Sequence, residues 1–254
     1  MNSISYFALR GVPLIEPGND LAAVIADAVK ESDLDLITGD ILVVAQKIVS
    51  KAEGRYVNLA DVTPSARALE MAEALHKDPR YVEVVLSESD QVVKQGEHFV
   101  VVAHRLGFVM ANAGIDESNI SHGTEPGRVL LLPQDPDAAA ARLKERLDDK
   151  FGASIGVIIN DSFGRPWRNG VVGVALGAAG VPSLVDMIGA PDLFGRPMRV
   201  TEIATADELA SAASLLMGQA DEGRPVVLVR GFSSQHPMRP ASALIRSRER
   251  DMFR

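Results

Sequence analysis

Cysteine is absent from all 254 residues. That excludes disulfides, thiolate catalysis and any metal centre built on cysteine, so a metal here must take oxygen or histidine ligands. Long apolar runs are also missing. No segment approaches the roughly 20 apolar residues of a membrane span, and the N-terminus has neither the basic start nor the apolar stretch of a signal peptide. These absences lead us to expect a cytoplasmic protein with no membrane partner. The histidines, His76, His98, His104, His122 and His236, show no HxxxH or HxH spacing, and we read them as structural or surface residues. There is no GxxxxGK[ST], no properly placed GxGxxG and no GxSxG, so a P-loop, a dinucleotide-binding unit and a hydrolase elbow lack support. Positive charge is the scarcer sign, with 26 Lys and Arg against 34 Asp and Glu, which argues against nonspecific nucleic-acid binding. Internal repeats, low-complexity tracts and linkers are lacking too.

What is present is a globular chain, 46% hydrophobic and 24% charged, long enough for one large domain or two small ones. Residues 3–10 read as a first strand, followed by a turn-rich GVPLIEPGND. Asn19 or Asp20 caps a helix whose inner face carries Leu21, Val24, Ile25, Ala28 and Val29. Ile41 to Ala45 is a buried strand, after which Gln46, Lys47, Ser50 and Lys51 interrupt the apolar pattern. Pro64 to His76 reads as an amphipathic helix with Ala68, Leu69, Ala72 and Leu75 inward. Tyr81 to Leu86 is either strand or helix, its β-branched residues favouring strand. Residues 98–103 and 106–110 form a strand pair, Val129 to Leu132 a short strand, and residues 135–150 a helix with Pro136 in its first turn. Thr205 with Glu208 reads as a capping box opening a helix that Gly218 ends, and Pro225 to Arg230 is a last strand. Strict βαβ alternation is lacking, so we expect an α+β fold with mixed, largely antiparallel sheets and packed helices.

The stretch GVIINDSFGRPWRNGVVGVALGAAG, residues 156–180, organises the chemistry. Its apolar run, Val157 to Ile159, breaks off into Asn160, Asp161 and Ser162, which places a carboxylate and a hydroxyl at an expected strand end. Such oxygens suit a hard divalent cation, and Arg165 and Arg168 bring guanidinium forks that match phosphate or carboxylate. Ordinary turn chemistry would produce similar residues. A second polar terminus, ANAGIDESN, follows residues 106–110 and carries Asp116 and Asn119. Whether the two ends converge depends on the fold.

Taken together, PLIEPGNDL, GDILVVAQKIVSKAEGR, ANAGIDESN, the 156–180 stretch, DLFGRPMRVTEIATADELASAASLLMG and PVVLVRG resemble the coenzyme F420-0:L-glutamate ligase family, also called F420:γ-glutamyl ligases. The blocks run in order from about residue 12 to residue 231. The resemblance implies a GTP-dependent enzyme that requires Mg²⁺ or Mn²⁺, with two ions, and is stimulated by K⁺. It implies addition of L-glutamate to the lactyl carboxylate of the deazaflavin precursor, coenzyme F420-0, followed by extension of a γ-linked tail in coenzyme F420 biosynthesis. It further implies a γ-glutamyl-ligase-like fold, an intertwined homodimer and a single catalytic unit over 1–254, of one or two subdomains, without the C-terminal nitroreductase-like domain of some relatives.

Carried over residue by residue, the resemblance makes Asp116 and Asp161 metal ligands central to catalysis, Ser162 a metal ligand where threonine is common, and Asn119 a GTP contact. Pro13, Leu14 and Ile15 would line the nucleotide site, with Lys51 and Gln46 beside it. Gln46 stands where the family often has serine. Gln219 stands where an acidic metal ligand is common, and its neutral amide oxygen would ligate more weakly. Arg165 and Arg168 are assigned to phosphate or to an incoming carboxylate. Two other functions compete: a nucleotide phosphohydrolase, and a catalytically idle GTP-binding regulatory homologue.

Overall fold

The computed structural model describes residues 3–120 and 127–251, so His122 and the end of the tail fall outside the described residues. In chain order the elements are β1 (Ser5–Ala8), α1 (Leu21–Glu31), β2 (Ile41–Ala45), α2 (Gln46–Ala52), β3 (Tyr56–Asn58), α3 (Ala66–Leu75), α4 (Pro79–Ser87), β4 (Ser89–Gly96), β5 (Phe99–His104), β6 (Val109–Ala111), β7 (Arg128–Leu130), α5 (Pro136–Phe151), β8 (Gly156–Arg165), β9 (Arg168–Ala179), β10 (Val185–Asp186), β11 (Glu202–Ile203), α6 (Thr205–Met217) and β12 (Val226–Arg230). The class is α+β, with one mixed sheet and several antiparallel ones. The described chain divides into two compact units, one within residues 1–52 and 135–244, the other within 53–134 and 245–254.

The first unit is built on a five-stranded sheet in the order β1-β12-β2-β8-β9. Only β2 and β8 run parallel; every other neighbouring pair is antiparallel. Its central strands read as unbroken apolar runs because both faces are covered. Leu42, Val44, Val157, Ile159, Val226 and Leu228 pack with residues of α1, α2 and α5, while Ile41, Val43, Ile158, Val227 and Val229 pack with residues of α6. Each such side chain contributes about 1.5–3 kcal/mol through burial.

β9 lies at the sheet edge, and its register against β8 slips: Ile159 pairs with Gly177 but Asn160 with Ala175, leaving Leu176 as an extra residue. The bulge reverses which face each β9 side chain takes. Gly173 consequently faces α6, where an added Cβ would overlap the Ala210 carbonyl and Ser214 Oγ. Gly177 faces α5, where a Cβ would overlap the Pro136 carbonyl. Both helices approach this strand by way of residues without side chains. The open edge is closed by helix side chains. Asp207 Oδ1 accepts from the Ala175 N–H at 2.9 Å, Asp137 Oδ1 from the Ala178 N–H at 2.8 Å, and Ser211 Oγ donates to the Gly173 carbonyl at 3.1 Å. Burial pushes the Asp207 carboxyl up, partly offset by the Ala175 N–H.

The second unit holds the antiparallel sheet β4-β5-β6, the pair β3-β7, and helices α3 and α4 over a core that includes Leu75, Val82, Val85, Val102 and Val129. One carboxylate ties its loops together. Glu88 Oε2 accepts from Arg55 Nη2 and Arg105 Nε, each at 3.0 Å, and lies 3.5 Å from Nε2 of His104, a residue 0% exposed. His104 Nδ1 accepts from the Leu106 N–H at 3.0 Å, so in the neutral ring the proton is on Nε2, which lies near Glu88 but has no hydrogen-bond partner among the described residues. Burial by itself would raise the Glu88 carboxyl, but His104, Arg55 and Arg105 outweigh it and hold the group at about 2.

The structure departs from the sequence reading in five places. Residues 81–86 lie in helix α4: the Asp78 carboxylate accepts from the Arg80 N–H at 2.8 Å, Pro79 occupies the first turn, and Tyr81, Val82, Val84 and Val85 share the buried face. Helical spacing and a cap outweigh β-branched preference. Gln46 to Lys51, to which the sequence reading assigned no element, lie in α2, with Gln46 and Ser50 buried. On α3, Leu69 is exposed and Met71 takes the inner place. Thr205 is the first residue of α6 and not its cap; Ala204 holds the cap position without a side-chain bond. Finally, β8 does not stop at Asn160 but continues to Arg165.

Candidate functional site

That continuation changes what Asp161 is. The last β2–β8 partners are Ala45 and Asn160; there β2 turns into α2, while β8 runs on alongside β9 alone. Asp161 and Ser162 are therefore mid-strand residues that emerge where their parallel neighbour ends, a position where open sheets carrying a parallel pair commonly place their ligands. The sequence shows a polar triplet after an apolar run; what ends there is the neighbouring strand β2 and not β8.

Alternation along β8 separates the two residues. Val157 and Ile159 pack towards α1, α2 and α5, so Asp161 presents on that face. Ser162 presents on the α6 face with Ile158 and Asn160. There Ser162 Oγ donates to Gln219 Oε1 at 2.8 Å, Gln219 lying just past the end of α6. Sequence reasoning assigned Ser162 and Gln219 separately, and the fold brings them together.

Asn160 was not singled out beforehand. It is 5% exposed; its Nδ2 donates to Ser214 Oγ at 3.2 Å and approaches Met217 Sδ at 3.5 Å, and its Oδ1 has no hydrogen-bond partner. A buried acceptor left so costs about 1–3 kcal/mol, which is the kind of local penalty retained beside functional groups.

On the Asp161 face, Ile48 and Val49 of α2 and Ile15 of the loop after β1 share one hydrophobic cluster, and the Gly18 N–H donates to the Ala52 carbonyl at 2.9 Å. Pro13, Leu14 and Ile15 are thereby held beside the helix that carries Gln46 and Lys51. Ile15 is core, whereas Leu14 is 88% exposed, an apolar side chain offered outward. Gln46 is enclosed, its Oε1 accepting from Ser50 Oγ at 2.9 Å. Arg165 and Arg168 pair across the tip of the β8–β9 hairpin, around the turn residues Pro166 and Trp167. Arg165 Nη1 is enclosed without a hydrogen-bond partner.

Asp116 and Asn119 belong to the second unit. Asp116 is fixed by its backbone: its N–H donates to the Leu130 carbonyl and its carbonyl accepts from the Leu130 N–H, both at 2.9 Å. Asn119 has a left-handed backbone, φ 55°.

The donors named here are a carboxylate in each unit, a hydroxyl and amide oxygens. Among the described residues no three of His, Cys, Asp and Glu gather as a metal cage, and no helix is long and apolar enough to cross a membrane. The first unit's set of oxygen donors, with one carboxylate, is of a kind that suits Mg²⁺ or Mn²⁺, hard cations that commonly keep water and phosphate oxygens among their ligands. It does not fit a zinc cage.

Residues 11–231 match the family described as F420-0:Gamma-glutamyl ligase. The chain is 46% identical over 253 residues to the coenzyme F420:L-glutamate ligase of Methanothermobacter thermautotrophicus, covering 99% of both chains. It is 46% identical over 261 residues to that of Methanopyrus kandleri, covering the whole of both. Against the Archaeoglobus fulgidus protein of the same name it is 44% identical over 230 residues, 91% of this chain and 88% of the other. With that extent of agreement, running through both polar segments and the α6 end, the chain belongs to the F420-0:gamma-glutamyl ligase family.

Proposed function

We propose that this protein joins L-glutamate to coenzyme F420-0 and extends the γ-linked tail, using GTP and Mg²⁺ or Mn²⁺. The single observation that carries the reading is the end of the β2–β8 pair, where Asp161, Ser162 and Gln219 offer oxygen ligands on two faces of one strand. Adjacent strand residues on opposite faces serve two ions better than one, which supports a pair of cations, one taken by Asp161 and one by Ser162 with Gln219; Asp116 is proposed as a further metal ligand.

Making an amide from a carboxylate and an amine requires activation, because a carboxylate oxygen is a poor leaving group. In the proposed sequence a carboxylate oxygen of F420-0 attacks the γ-phosphorus of GTP, the bond to the β-phosphate oxygen breaks, and GDP leaves. The α-amine of glutamate then attacks the acyl carbon, phosphate departs with the electron pair of the C–O bond, and the amine loses its proton. The cations, when bound, neutralise phosphate charge so that anions can approach one another. Lys51 supplies a further positive charge to the nucleotide, Asn119 contacts it, and Pro13, Leu14 and Ile15 with Gln46 form its wall; exposed Leu14 suits a base or ring face. Arg165, with its unpartnered Nη1, and Arg168 receive phosphate or the glutamate carboxylate.

K⁺ stimulation and a homodimer belong to the same proposal. Trp167, Leu193, Phe194 and Val200 of the first unit are exposed large apolar residues, which supports association of copies.

Incubation with Mn²⁺, GTP, L-glutamate and F420-0 tests the reading. Phosphate release should require both acceptors. Release independent of them would make the protein a phosphohydrolase, and tight GTP binding without turnover would make it an idle homologue.

A further inference from the structure

The segment that delivers Asp116 is wound in an unusual way. Asn112, Ala113 and Gly114 all take left-handed backbone angles, φ 52°, 53° and 65°. For alanine that conformation costs about 1–2 kcal/mol, and such strain persists only where the surroundings fix it. Three contacts do so. Ala113 and Ile115 are core residues of the second unit. A Cβ at Gly114 would lie 2.8 Å from Met110 Cε and 3.0 Å from Leu132 Cδ2. At the entrance to the turn, Lys77 Nζ donates to Asn112 Oδ1 at 3.3 Å.

Lys77 has a second neighbour. It follows the left-handed residue His76 that ends α3, its N–H donates to the Ala72 carbonyl at 3.1 Å, and its ammonium lies 5.1 Å from the centre of the Tyr81 ring. Tyr81, on α4, is 6% exposed. One neighbour of Lys77 is thus the strained turn, and the other is a buried ring beneath its ammonium.

We infer that Lys77 is a positioning residue for Asp116: it holds the left-handed turn through Asn112, and the buried Tyr81 ring holds the Lys77 ammonium in place. The inference rests on the proposed metal role of Asp116. Lys77 touches no substrate in this scheme; it acts through Asp116, as a group behind a metal ligand does when it fixes the ligand's orientation, and loss of such a group typically weakens metal binding 10–100-fold.

The test is Mn²⁺ binding in the presence of GDP, read from the electron paramagnetic resonance signal of free Mn²⁺, together with the melting temperature of the metal-free protein. The variants are Lys77→Met, Lys77→Arg and Asp116→Asn. Lys77→Met should weaken Mn²⁺ binding about tenfold while still melting cooperatively near the parent temperature, as expected for a half-buried residue, and Lys77→Arg should recover most of the loss. If Asp116→Asn abolishes binding at one site but Lys77→Met leaves it unchanged, the positioning role is overturned and the metal role stands. If Asp116→Asn itself leaves binding unchanged, the metal role falls and the positioning role with it. Should Lys77→Met fail to fold, Lys77→Gln replaces it in the same measurement.

Discussion

Asp161 and Gln219 make opposite predictions at the residue scale. Asp161→Asn keeps the shape and removes the charge, so glutamate ligation should fall at least about a hundredfold, a loss of roughly 2.7 kcal/mol in transition-state stabilisation, with the melting temperature little changed. Gln219→Glu adds a carboxylate beside Ser162 Oγ, 2.8 Å from the present amide oxygen. It should lower the Mn²⁺ concentration needed for half-maximal activity, because a charged oxygen binds a hard cation more strongly than a neutral one. A metal titration of initial rates checks both. Glu88 gives the pH prediction. Its carboxyl sits at about 2 in the folded protein against an ordinary 4.5, a difference of about 3 kcal/mol. A depressed folded value means the stabilisation is complete above the unfolded value and is lost as pH falls from about 4.5 towards 2. Glu88→Gln should lower stability at pH 7 and flatten the acid limb over that window, measured by denaturant titration at a series of pH values.

Among these residues, Asp161, Ser162 and Asp116 were visible in the sequence because each breaks an apolar run. Gln219 was visible only through resemblance. Asn160 and Glu88 were not, since a buried polar group is recognised by its partners, or by their lack, and partners 16 to 57 residues away leave no local pattern. Thr205 shows the converse: it has the residue type and spacing of a cap, yet the fold places Ala204 there and uses Asp207 to close the edge of β9 instead.

At the scale of elements, the edge strand β9 decides how α5 and α6 sit on the sheet of the first unit. Gly173→Val would drive methyl groups into the Ala210 carbonyl and Ser214 Oγ. It should destabilise by at least about 1–3 kcal/mol and disturb the Ser162–Gln219 pair at the far end of α6. Thermal melting and metal titration would detect the two effects separately. Asp207→Asn should be nearly neutral, since an amide oxygen can still accept from the Ala175 N–H, whereas Asp207→Ala leaves that edge group unbonded and should promote association of copies through β9, seen by light scattering. Long periodic segments such as α1 and α5 were legible from spacing and caps. The 81–86 segment was left between strand and helix, with strand favoured, because short apolar runs do not distinguish the two. The end of β8 was misread because strand length depends on the pairing partner β9, which no local pattern reveals.

For the whole molecule, the apolar and charge patterns sufficed for the α+β class, while the family resemblance supplied the chemistry that composition could not. The order β1-β12-β2-β8-β9, with one parallel pair among antiparallel ones, was not readable, because strand order is set by pairings between distant segments. If exposed Trp167, Leu193, Phe194 and Val200 serve a homodimer, Phe194→Glu should shift the protein towards monomer in analytical ultracentrifugation, and an unchanged sedimentation coefficient would remove that surface from consideration. The measurement that tests the account most directly is mass spectrometry of F420-0 incubated with GTP, Mn²⁺ and L-glutamate, using the parent protein and folded Asp161→Asn side by side. The expected result is a product heavier by one or more glutamyl residues with the parent and almost none with the variant; equal products from both, or none from the parent, would contradict it.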